Sequence, residues 1–131
     1  MTEPIWLPQV AIHSIHNELL NRFGGSTGIR DEGLLDSALA RPVQLFHYGK
    51  PTLFECAASY AHGIVKNHPF IDGNKRTGFI AAALFLELNG YHFTSSEADA
   101  VLQTLALAAG EIQEAEFADW LSKSCSVNDP E

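Results

Sequence analysis

Asn74-Lys75-Arg76-Thr77-Gly78-Phe79-Ile80-Ala81-Ala82-Ala83-Leu84-Phe85-Leu86-Glu87-Leu88 reads as one helix. The turn pair Asn89-Gly90 ends it, and its middle, from Gly78 to Leu86, is apolar on every side. A helix with no polar face is normally surrounded by other elements. The same run is far too short for a bilayer, which needs about 20 apolar residues. The segment therefore predicts the centre of a compact helical bundle, and the fold class is all-α.

Reading outward toward the C-terminus, Ser96 with Asp99 resembles a capping arrangement and opens a fifth helix ending near Gly110. Phe117, Trp120 and Leu121 mark one face of a sixth. Reading outward toward the N-terminus, a third helix fits Leu53 to about Asn67. Glu55, Ser59, His62 and Lys66 form its polar stripe, and Leu53, Ala57, Tyr60, Ala61 and Ile64 its apolar one. A second helix is expected from Asp31 to Ala40, stopping before Pro42 because the residue preceding a proline avoids helical geometry. Pro42 to Thr52, with Gly49, Pro51 and several aromatics, predicts a loop or small hairpin. The first helix follows Pro8, carries Ile12, Ile15, Leu19 and Phe23 at helical spacing, and stops at Gly24-Gly25.

The chain has 131 residues, 46% hydrophobic and 18% charged, which suits one folded domain. Residues 1–126 are expected to form it, with 127–131 as a short flexible tail. Eight basic residues against sixteen acidic ones give a formal charge of −8, so direct nucleic-acid binding is not expected. Cys56 and Cys125 have neither metal spacing nor the density of a disulfide scaffold, and no leader is visible, so a reducing cytoplasm is the expected compartment. His13 and His16 read as a surface pair, because no further metal ligand stands near them in sequence. Cys56 reads as an inert small hydrophobe, and Trp6 and Trp120 as packing residues.

One stretch departs from local rules: Asn67-His68-Pro69-Phe70-Ile71-Asp72-Gly73-Asn74-Lys75-Arg76-Thr77. Pro69 stops the third helix at His68. Asp72-Gly73-Asn74 reads as a tight turn, and the central helix begins at once. Lys75 and Arg76 then fall in its first turn, the end of a helix that already carries about half a positive charge. That placement is unfavourable unless an anion shares the spot. The free N–H groups of Gly73, Asn74 and Lys75, the helix dipole and the two cations would converge on a phosphate. Lys66, Lys75 and Arg76 lie close together in an otherwise acidic chain. Asp72 stands beside this site as a carboxylate suited to Mg²⁺. His68 carries an imidazole able to take a proton from a hydroxyl near neutral pH. Phe70 and Ile71 are expected to anchor the loop in the core. There is no P-loop and no dinucleotide fingerprint.

His68, Phe70, Asp72, Gly73, Asn74, Lys75 and Arg76 match in order the signature of the Fic/Doc superfamily: His, any, Phe, any, Asp or Glu, Gly or Ala, Asn, Gly or Lys, Arg. Gly28-Ile29-Arg30-Asp31-Glu32-Gly33-Leu34-Leu35-Asp36-Ser37-Ala38-Leu39-Ala40-Arg41-Pro42 and Leu86-Glu87-Leu88-Asn89-Gly90-Tyr91 also resemble the death-on-curing (Doc) branch. The resemblance implies His68 as general base, Asp72 as Mg²⁺ ligand, Gly73, Asn74, Lys75 and Arg76 as phosphate cradle, and Phe70 as core anchor. It implies ATP as co-substrate and a small flap hairpin that aligns the target, for which Pro42 to Thr52, with His47, Tyr48 and Lys50, is the candidate.

Adenylylating relatives usually carry Gly after the motif Asn and a second Arg three residues after the first, where this chain has Lys75 and Phe79. The resemblance therefore implies the Doc-type outcome, a γ-phosphoryl group moved to a protein hydroxyl, with elongation factor Tu as the implied target. Gly73, where the best-known Doc motif carries Ala, is a small step toward AMP transfer, and adenylyl transfer is the alternative chemistry. A non-catalytic binding module on the same fold is the alternative of another class. No inhibitory helix of the Fic kind is apparent, since Thr27 and Glu32-Gly33 are out of register for it. A separate antitoxin is the implied partner.

Overall fold

A computed structural model describes residues 2–127. Its elements run α1 (Gln9–Phe23), α2 (Glu32–Tyr48), α3 (Leu53–Asn67), α4 (Asn74–Leu88), β1 (Tyr91–Phe93), α5 (Glu97–Ala109), α6 (Glu114–Lys123) and β2 (Cys125–Val127). The fold is all-α, with one two-stranded antiparallel sheet in which Tyr91 pairs with Val127 and Phe93 with Cys125. The apolar α4 lies in the interior, as its sequence implies, and shares it with α3. The two pack on each other, α2 and α6 cover α3, and α1 lies on α4. Small residues set the spacing. A Cβ on Gly78 would stand 3.0 Å from Val65 Cγ1 and 3.2 Å from the Ala61 carbonyl oxygen, so α4 and α3 touch almost backbone to backbone.

Local capping chemistry explains most helix starts. Thr52 and Glu55 form a reciprocal capping box at α3. Ser96 accepts from the Asp99 amide at 3.1 Å, and Glu116 accepts from the Gln113 amide at 2.8 Å. Asp31 caps α2 by accepting from the Leu34 amide at 2.9 Å. The segment before α1 is held by Leu7, whose amide donates to the Tyr60 hydroxyl at 3.0 Å, and by Trp6, stacked on Phe85. Burial pushes the Cys56 thiol up to about 11, with Glu55 adding to the shift, so it stays protonated at neutral pH.

Three expectations are corrected. The second helix does not stop before Pro42: α2 continues to Tyr48 with Pro42 inside it. An interior proline loses one helical hydrogen bond and crowds the previous turn. Here Pro42 is fully buried, and its neighbour Arg41 is locked to Glu114 of α6 by a bidentate pair at 2.9 and 2.6 Å. Tertiary packing therefore overrides the local break. The hairpin expected over Pro42–Thr52 is consequently absent, and the sheet forms instead between Tyr91–Phe93 and Cys125–Val127, strands far apart in sequence. Along the polar stripe of α3, Glu55 and Lys66 are exposed and Ser59 is not. Ser59 is buried and accepts from Arg41 at 3.1 Å, because the Arg41–Glu114 bridge roofs that side. At the C-terminus, Val127 is a strand residue rather than the first of a tail; residues 128–131 lie outside the described residues.

Candidate active site

Pro69 ends α3 at Asn67, and His68 becomes its C-cap in the left-handed conformation, φ 53° and ψ 53°. Among the described residues His68 is the one non-glycine with positive φ. An L residue held there gives up roughly 1–2 kcal/mol, a strain that persists only where surrounding structure dictates it and that gathers at functional sites. That surrounding structure is the strap of residues 25–31. Ile29 bridges Phe70, the amides of Arg30 and Asp31 donate to the Pro69 carbonyl at 2.6 and 3.0 Å, and the Ile71 amide donates to the Gly28 carbonyl at 3.1 Å. The strap lies close because it is glycine-rich. A Cβ on Gly25, at φ 125°, would come within 2.8 Å of Asp72 Oδ2.

Two more side chains close the loop from inside. The buried Asn74 amide takes both main-chain groups of Phe70, accepting from its N–H at 3.0 Å and donating to its carbonyl at 2.9 Å. Its side chain is therefore a loop clamp, and only its backbone N–H is left for an anion. Phe70 is fully buried, with the His16 ring stacked on it at 3.8 Å. His16 Nε2 also meets the Asp72 carbonyl at 2.8 Å. This corrects the reading of His13 and His16 as a surface pair: His16 is buried at 3% exposure. Ile71, in contrast, is not a core anchor; it is exposed.

His68, Asp72, Gly73, Asn74, Lys75 and Arg76 all line one cleft of about 860 Å³. Its other walls come from Arg22 and Phe23 of α1, Phe79 and Ile80 of α4, Phe93 of β1 and Thr104 and Leu105 of α5. Phe70 lies behind the loop, outside the lining. The Arg76 guanidinium sits over the Phe23 ring, 4.3 Å from its centre. Neither Lys75 nor Arg76 forms an ion pair among the described residues. The first N–H groups of a helix have no intrahelical acceptor, and Gly73, the N-cap of α4, has no side chain to satisfy them. The Gly73 amide itself donates to Asp72 Oδ1 at 2.9 Å, which shifts the available cradle to Asn74, Lys75 and Arg76. Lys66 is not part of it: its Nζ donates to the Ala108 carbonyl at 3.2 Å, at the far end of α5. Arg22 takes its place in the lining.

Asp72 Oδ2 accepts from the Ser26 amide at 3.2 Å, so each carboxylate oxygen holds one backbone hydrogen bond and keeps capacity for another partner. No cluster of three His, Cys, Asp or Glu side chains that could hold a metal is found among the described residues. One carboxylate beside a phosphate cradle is the donor set that suits Mg²⁺, which keeps its waters and takes its remaining ligands from phosphate oxygens. An imidazole, a carboxylate and three cations around one cleft can deprotonate a hydroxyl next to a bound polyphosphate.

The profile of the Fic/DOC family matches residues 6–86, from the segment before α1 through most of α4. The chain belongs to the Fic/DOC family. It is 48% identical to the toxin Doc of Mycolicibacterium smegmatis over 71 residues, which are 52% of this chain and 54% of that protein. The match thus spans about half the length of that relative. It is 35% identical to the protein kinase doc of Escherichia phage P1 over 111 residues, 84% of this chain and 87% of that one. A Fido domain-containing protein of Dictyostelium discoideum is 33% identical over 93 residues, 66% of this chain.

The Fic/Doc loop also depends on residues that reading the motif alone misses. His16, Ser26, Arg30 and Arg22 all reach the loop or its cleft from the first third of the chain. For Arg30 the signal in the sequence is the Doc-like stretch around Gly28-Ile29-Arg30-Asp31, which has no chemistry of its own when read locally; His16, Arg22 and Ser26 precede that stretch. No helix among the described residues is long and apolar enough to cross a membrane.

Proposed function

We propose that this chain is a Doc-like toxin that moves the γ-phosphoryl group of ATP onto a Ser or Thr hydroxyl of a target protein. The observation that carries the reading is the single cleft in which His68, Asp72, Lys75 and Arg76 come together at the uncapped start of α4. The family relatives named toxin Doc and protein kinase doc support it.

In this reading His68 takes the hydroxyl proton while the hydroxyl oxygen attacks the γ-phosphorus. The bond from that phosphorus to the β–γ bridging oxygen breaks, and ADP leaves. Lys75, Arg76, Arg22 and the α4 amides hold the phosphate oxygens, since phosphoryl transfer is accelerated chiefly by positioning and charge neutralisation. Asp72 would hold Mg²⁺, which when bound supplies further charge neutralisation on the phosphates. Phe79 favours γ-phosphoryl over adenylyl transfer. It stands one turn beyond Arg76, where adenylylating relatives have a second Arg, and packs against Phe93 at 5.1 Å. Along α4 the cationic lining of the cleft therefore ends at Arg76.

Elongation factor Tu is the proposed target and a cognate antitoxin the proposed partner, both by resemblance to the Doc branch. The test is incubation with ATP, Mg²⁺ and a cell extract, followed by weighing the modified protein. A phosphate adduct that disappears on chelation and returns with Mg²⁺ is expected. An AMP adduct would move the chemistry to adenylyl transfer. No adduct at all, with purified elongation factor Tu as well as extract, would leave a binding module.

A further inference from the structure

The guanidinium of Arg30 lies against the loop without belonging to the cleft. Its Nε donates to the His68 carbonyl at 2.7 Å and its Nη2 to the Asn67 carbonyl at 2.8 Å. The Arg30 main-chain amide donates to the next carbonyl, Pro69, at 2.6 Å. Three consecutive carbonyls, 67, 68 and 69, therefore end on one residue. Arg30 forms no ion pair among the described residues, so both donors on that edge serve the loop alone.

The consequence is geometric. The Asn67 carbonyl lies in the peptide plane that precedes the His68 Cα, and the His68 carbonyl in the plane that follows it. The angle φ turns the first plane about that Cα, and ψ turns the second. A guanidinium is a rigid planar fork. Holding both oxygens on one edge of it fixes φ and ψ together, and with them the direction of the His68 Cα–Cβ bond. His68 needs such a hold, because its left-handed conformation is not one the chain keeps by itself. Carbonyls at a helix C-terminus are also the natural partner of a cation.

We propose that Arg30 is the positioning residue of the site: it sets the His68 backbone, and so aims the imidazole into the cleft, without touching substrate. This rests on the reading of His68 as general base. Arg30→Ala should lower kcat by about tenfold or more, because small displacements of a proton-accepting group are costly in rate. The KM for ATP should stay within about twofold, since uniform binding by the cradle is untouched. Added ethylguanidinium should restore part of kcat. Arg30→Lys, with one point donor in place of the fork, should fall between wild type and Ala.

A readout independent of activity is the ¹H–¹³C resonance of the His68 ring in the folded full chain. It should shift or broaden in Arg30→Ala while that of His92, in β1, stays in place. A kcat equal to wild type in both variants, or a loss that merely tracks a lower Tm and is not rescued, would overturn the proposal. So would an unmoved His68 resonance. If wild type transfers nothing but the His68 resonance moves, the transferase reading fails and the positioning role stands.

Discussion

The starts of α3 and α4 are built from the same backbone and treated in opposite ways. At α3, Thr52 and Glu55 satisfy each other's amides, and the first-turn charge is negative, as the helix dipole favours. The start of α5 follows the same rule with Ser96, Glu97 and Asp99. At α4 the cap is Gly73, there is no acidic residue in the first turn, and Lys75 and Arg76 stand there instead. The first kind of end is complete without a ligand. The second leaves its first N–H groups without a side-chain acceptor and its two cations without an ion pair among the described residues, which is the arrangement the proposed phosphate site uses. Within one small fold the difference separates a helix start that completes itself from one that the proposed function would complete with a ligand.

The comparison breaks most visibly at His68. His68→Ala should reduce transfer by at least about a hundredfold, the usual range for a general base, with Tm nearly unchanged. An Ala variant that keeps its rate would remove the base assignment. Arg76→Ala comes next: nucleotide affinity, read by calorimetry, should weaken by about tenfold, the size of one charge-assisted contact in a partly open site. Equal affinity in both forms would make the α4 cations ordinary surface charge. Thr52→Ala is the mirror image. Loss of the cap should lower stability in urea by about 1 kcal/mol while leaving the transfer rate alone.

The smallest effect separates the scaffold from the site in acid. Burial lowers the His62 pKa below its ordinary 6.5, against an opposing pull from Glu114, while Arg41 and Lys66 add to the lowering. The unfolded chain thus binds this proton more readily than the folded one. The stability contributed by neutral His62 is full above pH 6.5 and is lost as pH falls below it toward the folded value. Urea titrations at pH 7.5 and 5.5 should show wild type losing more stability than His62→Gln. An identical loss in both would assign the acid sensitivity elsewhere.

Where a feature depended on residues within a turn or two, it was legible in the sequence. The capped start of α5 at Ser96, the stop at Asn67 before Pro69, and the apolar run from Gly78 to Leu86 are all visible to a reader of short windows. So was the clustering of His68, Asp72, Lys75 and Arg76, because one loop and one helix start carry them. Pro42 shows where such reading ends. Its local preference to break a helix is real, but burial and the Arg41–Glu114 pair outweigh it. The flap expected there vanished with the break.

The amino-acid sequence by itself determined the helices, their order and the chemistry placed at the α3–α4 junction, since periodicity, caps and turn residues act over a few positions along the chain. The tertiary structure alone decided how that chemistry is held. Arg30 on the Asn67 and His68 carbonyls, His16 under Phe70 and Ser26 on Asp72 join residues about 40 to 60 positions apart. Such contacts exist only once the core has closed, and no local pattern in a single chain records them.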